Sequence, residues 1–219
     1  MKHLSESEEN YIKALYYVGE KAYVSNGDLA ARIGAKGSSV TQALKRLEAK
    51  LLVEVVPYKG TKLTAAGVKC ALQILRKHRL WEVFLVEKLG FGWDQVHYIA
   101  EQMEHVQSPD LVDKLDQYLG RPSVDPHGDP IPNANGEMPN IQGEKLSNAK
   151  EGATVEVVRV EDAGPSFFDQ LASLGISLGK SYQVQRSGSF DGSIELAEKG
   201  GQPFWVSAAL CNNIYTVPK

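Results

Sequence analysis

The sequence predicts an α+β protein built in three parts: a helical N-terminal segment closed by a β-hairpin, a helical middle, and a small C-terminal β-barrel. Three observations carry this. Apolar residues recur at helical spacing through most of the first half. Residues 121–146, RPSVDPHGDPIPNANGEMPNIQGEKL, hold five prolines, a density that no regular element survives. After them the pattern switches to short alternating strands. The 219 residues divide accordingly into 1–75, 76–142 (its end a Pro/Gly-rich linker) and 143–219.

The first helix spans residues 5–20, SESEENYIKALYYVGE. Ser5 or Ser7 caps it, early glutamates suit its N-terminus, and Tyr11, Ile12, Leu15 and Tyr16 form its apolar stripe. Residues 26–33, NGDLAARI, form a second short helix that Gly34 ends, and Lys36-Gly37-Ser38 turns the chain. A third helix runs from about Ser38 to Lys50, with Val40, Leu44 and Leu47 inward and Thr41, Gln42, Lys45 and Arg46 outward. Then LLVEVVPYKGTKLTAAG alternates around Pro57-Tyr58-Lys59-Gly60, a hairpin with a basic tip. This is the order of a winged helix-turn-helix, whose third helix enters the major groove. The candidate DNA-facing residues are Lys36, Ser38, Ser39, Thr41, Gln42, Lys45 and Arg46, with Tyr58, Lys59 and Lys62 on the wing. Gln42 can pair bidentately with adenine, whereas Ser, Thr and Lys more often position on phosphate. Any short helical hairpin with a glycine turn resembles this motif, so the basic hairpin behind it gives the reading its weight.

Helices follow at Thr64–Val86, Trp93–Val106 and from Pro109 to Gly120, the first capped by Thr64. Their apolar surface exceeds what they can bury among themselves, which implies a symmetric dimer. Beyond the linker, ATVEVVRV, SYQVQRS, SIELAE and PFWVSAALCNNIYTV read as strands, with PSFFDQLASLG a helix between the first two. Together they suggest a small SH3-like barrel of five strands.

Charge is uneven. Residues 1–75 carry 11 Lys and Arg against 7 Asp and Glu, residues 76–142 carry 6 against 11, and residues 143–219 carry 7 against 9. A basic first part suits an anionic partner and an acidic middle suits a cation. No apolar run approaches the roughly 18 residues of a membrane helix, and MKHLSESEENYI lacks the apolar core of a signal peptide. Cys70 and Cys211 stand in no metal or redox spacing and read as free thiols of a reducing cytoplasm.

The acidic middle contains HRLWEVFLVEKLGFGWDQVHYIAEQMEHV, residues 78–106. His78 and Glu82 are four apart, as are His97 and Glu101, and Glu101, Glu104 and His105 fall at i, i+3 and i+4. On a helix each set lies on one face. A lone pair at this spacing is ordinarily a surface ion pair. Three interlocking sets instead point to a divalent metal, and imidazole with carboxylate tilts the choice to Mn(II) or Fe(II), with Co, Ni or Zn as surrogates. An H-E-x-x-H order, a P-loop and a G-x-S-x-G motif are all absent, so a metallohydrolase is the weaker reading and the chain is not expected to be an enzyme. A metal-binding adaptor or storage protein, its barrel docking a partner, is the other reading.

ENYIKALY, GSSVTQALKRLEAKLLV, KHRLWEVFL, GWDQVHYIAEQMEHV and DPHGDPIP together resemble the diphtheria toxin repressor family of iron- and manganese-dependent transcriptional repressors, its manganese-sensing branch above all. The resemblance covers the chain in order, through a FeoA-type SH3-like domain at its end. It implies a homodimer that binds operator DNA when loaded with metal, represses genes of metal uptake and homeostasis, and orders its first helix against the metal helices. Two metal sites per subunit are implied. The first takes Glu101, Glu104 and His105 with Asn10 from the first helix. Iron-sensing members carry Met and Cys where this chain has Asn10 and Glu101, and manganese-sensing members carry Asp and Glu; Lys13 stands where some manganese sensors carry an acidic ligand. The second takes His78, Glu82 and His97. Some members complete it with Glu and Gln where this chain has Gly164 and Phe167, which cannot ligate by side chain. Others use Cys and His of the linker, matched here by Asp125 and His127, with Asp162 as a last ligand. Asp125 and His127 also suit an ordinary polar turn.

Overall fold

The computed structural model describes residues 4–19, 22–140, 143–161 and 164–219. Its chain falls into two compact units: Met1–Trp81 with Ala100–Tyr118 and Ile131–Pro139, and Glu82–Ile99 with Leu119–Pro130 and Asn140–Lys219.

In the first unit, α1 (Glu6–Gly19) begins with a capping box. The Ser5 amide donates to Glu8 Oε2 at 2.9 Å, and the Glu8 amide donates back to Ser5 Oγ at 3.3 Å. The second helix, α2 (Asn26–Ile33), is capped by Ser25, which accepts from the Asp28 amide at 3.1 Å, and ends at Gly34 in the left-handed region. Helix α3 (Gly37–Ala49) buries Val40, Ala43, Leu44 and Leu47 and turns its remaining residues out. Strands β1 (Val53–Val56) and β2 (Gly60–Leu63) pair antiparallel, and Val24 bridges to Thr61 on the other side. Gly60 is required there, because a Cβ would lie 2.5 Å from the Val24 carbonyl oxygen. Ile12, Leu15, Leu29, Val40, Leu44 and Leu47 centre one core with Val53, Leu63 and Ile74. This is the expected winged helix-turn-helix.

Three more helices follow, α4 (Ala65–Leu89), α5 (Trp93–Met103) and α6 (Pro109–Tyr118), and α4 and α5 each run from one unit into the other. Thr64 caps α4, accepting from the Gly67 amide at 3.1 Å. Within the first unit, Arg76 of α4 donates to the Pro132 carbonyl at 2.8 Å and pairs with Asp116 of α6 at 2.9 Å.

The second unit holds a six-stranded sheet: β3 (Glu144–Lys145), β4 (Thr154–Val160), β5 (Ser181–Ser187), β6 (Ile194–Ala197), β7 (Phe204–Val206) and β8 (Ile214–Pro218), in the order β3-β8-β4-β5-β6-β7. Helix α7 (Pro165–Ser173) lies between β4 and β5, and a four-residue helix α8 (Ala208–Cys211) between β7 and β8. One expectation needs correction: the sheet is open, not a closed barrel, and its edge strands have only two and three residues. The final apolar stretch supplies two of the five expected strands, separated where Ser207 caps α8, its hydroxyl accepting from the Leu210 amide at 3.4 Å. Val155, Val157, Phe167, Leu171, Tyr182, Val184, Ile194 and Val206 fill this core.

Cys70 and Cys211 are free, and burial pushes each thiol up to about 11. Among the described residues, no helix is long and apolar enough to cross a membrane.

Candidate metal centre

Helical spacing brings one side-chain cluster together within the first unit. Glu101 lies in the last turn of α5, and Glu104 and His105 follow in the turn just past its end, where the Glu104 amide still donates to the Ala100 carbonyl at 2.8 Å and so keeps Glu104 on the Glu101 side. On α1 the same rule aligns Glu9, Asn10 and Lys13.

Glu104 is fully buried and is the centre of the cluster. Lys13 Nζ lies 2.7 and 2.9 Å from its two carboxylate oxygens, and His78 Nδ1 lies 2.6 Å from Oε2. Burial alone would raise the Glu104 carboxyl; the hydrogen bond and charge of His78, with those of Lys13, outweigh it and hold the group below the usual carboxylate range. Lys13 also reaches Glu101 Oε1 at 3.6 Å, where the side chain is 45% exposed. His105 Nδ1 is 2.6 Å from Glu9 Oε2, and Gln107 Nε2 and Lys77 Nζ hold Glu9 Oε1 at 2.8 and 3.3 Å.

Two buried polar atoms are left over. His105 Nε2, 3.8 Å from Glu104 Oε1, and Asn10 Oδ1 have no hydrogen-bond partner among the described residues. An orphaned imidazole nitrogen and an orphaned amide oxygen beside buried carboxylates fit a divalent cation, which takes lone pairs that no donor has claimed. Burial first and the Glu9 charge second push the Cys70 thiol up to about 11.

The second unit assembles another set. One ligand atom from each of Glu82, Asp125 and His127, all buried, lies within 4.8 Å of the others. His97 Nδ1 is 3.4 Å from Glu82 Oε1. The linker segment that carries Asp125 and His127 is anchored, not loose. Asp125 Oδ1 accepts from the amides of His127 and Asp129 at 2.8 and 2.9 Å, and the Val160 amide of β4 donates to the His127 carbonyl at 2.8 Å. Gly128 lets the loop approach β4 closely, since a Cβ would stand 2.1 Å from the Val158 carbonyl oxygen. The His127 ring packs against Trp93 and Phe168, with centroids 5.8 and 5.1 Å away. Phe167 is buried in the core and Gly164 precedes α7 at φ 97°, so neither offers a side-chain ligand. Asp162 lies outside the described residues.

On the DNA-binding side, Lys36, Ser38, Ser39, Thr41, Gln42, Lys45 and Arg46 are all exposed along one face of α3 and its approach. Thr41 Oγ1 donates back to the Gly37 carbonyl at 3.0 Å. Arg46 Nε lies 3.6 Å from Glu8 and thus leans toward α1. On the wing, Tyr58 is fully exposed at φ 62°, Lys59 Nζ sits 4.2 Å over the Tyr23 ring, and Lys62 is paired to Glu54 at 2.9 Å.

Comparisons with known proteins supply the family. Family models match in sequence order: the iron dependent repressor N-terminal DNA binding domain at residues 3–61, the iron dependent repressor metal binding and dimerisation domain at 64–133, and the FeoA domain at 144–217. The iron-dependent repressor IdeR of Mycobacterium leprae is 31% identical over 166 residues, 72% of each chain. The chain belongs to the iron-dependent repressor family. Its members are DNA-binding, metal-dependent transcriptional repressors and not enzymes. A solved manganese-dependent transcriptional repressor in complex with manganese matches at 36% identity and a TM-score of 0.87, covering 96% of this chain and 99% of its own. The manganese regulator SloR matches at 28% identity and a TM-score of 0.76, covering 97% and 98%.

Lys77 and Gln107 were not legible as neighbours of this cluster, and Glu9 was legible only as a neighbour of Asn10 and Lys13 on the first helix, not as a partner of His105. The signal for Glu9 was its i, i+4 spacing to Lys13 on α1, but a glutamate in a first turn also reads as a partner of the helix dipole.

Proposed function

We propose that this chain is a homodimeric cytoplasmic repressor that binds double-stranded operator DNA when Mn(II) or Fe(II) occupies the Glu104 cluster, and that it controls genes of metal uptake and homeostasis. The observation that carries this is the double role of α1. Its Glu9 and Lys13 meet His105 and Glu104, while its Glu8 pairs with Lys50 at 2.7 Å, one residue past the end of α3, and with Arg46 at 3.6 Å. One helix therefore ties the cluster to the helix that faces DNA.

Glu101, Glu104 and His105, with Asn10 and with Glu9 beside them, would hold the ion. A bound divalent cation would supply the charge that offsets the carboxylates of α1 and of the end of α5 and would take the imidazole of His105 as a further donor. The rest is done by the chain: α1 docks on α5, and Glu8 holds Arg46 and Lys50 in place behind the exposed face of α3. The oxygen and nitrogen donors assigned to the site favour Mn(II), the metal of the manganese-dependent relative. A second site is assigned to Glu82, Asp125 and His127, with His97 beside Glu82 as a further donor. The division of labour follows residues 1–75 for DNA, 76–142 for metal and pairing, and 143–219 for the FeoA domain. Leu111 and Tyr118 of α6, 38% and 67% exposed, lie in the region whose family model is described as a dimerisation domain and suit burial in a symmetric dimer that reads two half-sites.

The test is a fluorescence-anisotropy titration of double-stranded DNA selected by the protein from a random pool, with and without Mn(II). The wild-type chain should gain at least about tenfold in affinity, a coupling within the ordinary range. Glu104→Ala and His105→Ala should lose that gain while remaining folded by circular dichroism. Full Mn(II) stimulation in either variant overturns the assignment.

A further inference from the structure

We propose that Lys13 is a tethered cation that takes the metal's electrostatic place in the Glu104 cluster and competes with it, and so sets how much divalent metal the protein needs. The inference rests on the cluster being the metal site.

The geometry is specific. The Lys13 ammonium uses both oxygens of Glu104, at 2.7 and 2.9 Å, in a place where the Lys13 side chain is 11% exposed and that of Glu104 is fully buried. A buried carboxylate needs a counter-ion, and here the chain supplies its own. The charges almost balance without a metal: Glu9, Glu101 and Glu104 face the ammoniums of Lys13 and Lys77, with His78 and His105 as further contacts of the carboxylates. A divalent ion on Glu104 and the Lys13 ammonium at hydrogen-bond distance from both its oxygens would repel each other, a cost that partial burial enlarges. Lys13 therefore withdraws. Glu101 Oε1, 3.6 Å away on a half-exposed side chain, offers it a route toward solvent.

The consequence has two sides. Lys13 stabilises the metal-free protein by neutralising Glu104, and it weakens metal binding by the work of being displaced. Removing its charge should reverse both.

The experiment measures free Mn(II) by electron paramagnetic resonance while Mn(II) is titrated into the full chain and into Lys13→Gln, Lys13→Arg and Glu104→Gln. Lys13→Gln should bind Mn(II) at least about tenfold more tightly than wild type, Lys13→Arg should stay within about threefold of wild type, and Glu104→Gln should bind more weakly. Lys13→Gln should also melt below wild type without metal, with the gap closing on addition of Mn(II). Unchanged or weaker binding by Lys13→Gln, alongside weaker binding by Glu104→Gln, overturns the role of Lys13 alone. An unchanged titration for Glu104→Gln overturns the cluster as the metal site, and this inference with it. Reductive methylation of the wild-type chain, followed by mass spectrometry, gives a reading that needs no variant. Lys13 should be modified several-fold faster with Mn(II) than without, and equal rates contradict displacement.

Discussion

Gln42 and Lys59 sit at different points of the DNA-facing surface and should fail in different ways. Gln42 is exposed on α3 and has the amide geometry that reads adenine, so Gln42→Ala should cost roughly 1–3 kcal/mol on the selected DNA and little on random DNA. Lys59 is exposed at the wing tip with its ammonium over Tyr23, so Lys59→Ala should weaken binding to every sequence alike and lower the salt slope by about 1. Equal losses on selected and random DNA for both variants would contradict the division. Lys62 is the contrasting residue: its charge is already shared with Glu54, so its removal should matter less than that of Lys59. That pairing was invisible in the sequence, because the hairpin register that sets Glu54 opposite Lys62 is a property of the folded strands. Helical spacing, by contrast, grouped Glu101, Glu104 and His105 in the sequence, although the helix itself ends at Met103 and the last two stand in the turn that follows. The contact of Glu9 with His105 was not legible, because the two are 96 residues apart and no local period reports such a contact.

At the scale of the element, α1 is held to α3 by a buried carboxylate. Burial pushes Glu8 up, but the hydrogen bond from Lys50 and the Ser5 amide hold it below the usual carboxylate range. A depressed native value means that the stabilisation is present above the unfolded value, about 4.3, and is lost as pH falls through the native one. Glu8→Gln keeps an acceptor for the Ser5 amide, so the capping box survives and only the ion pairs go. The variant should lose roughly 1–2 kcal/mol at pH 7, read from urea midpoints, and the difference from wild type should shrink as the pH drops below about 4. A difference that is constant with pH would show that the ion pairs contribute nothing. Elements themselves were legible where one period dominates, as in α2, whose bounds follow its capping serine and closing glycine. The open sheet was not: alternation reports that a strand has two faces but not which strand lies beside it, and the order β3-β8-β4-β5-β6-β7 comes from long-range pairing. The anchoring of the Pro-rich linker escaped for the same reason, since Gly128 and Asp125 look like any turn until β4 is packed against them.

For the whole molecule, metal and DNA must be linked in both directions. If metal binding favours the arrangement of α1 that suits DNA, then DNA must tighten metal binding by the same factor, because both ligands draw on one equilibrium. The factor by which saturating Mn(II) raises affinity for the selected DNA should therefore equal the factor by which saturating DNA lowers the Mn(II) dissociation constant. The first is read by anisotropy and the second by resonance of free Mn(II). Glu8→Gln gives the sharper form of this test. Glu8 touches Arg46 and Lys50 and none of the atoms within the cluster, so the variant should keep its Mn(II) affinity without DNA to within about threefold and reduce both coupling factors together. A fall in one factor without the other is forbidden by linkage and would mean that metal, protein and DNA form an assembly of different stoichiometry. A fall in neither, with the pH-dependent stability loss intact, would mean that α1 carries stability but not the signal between the cluster and α3.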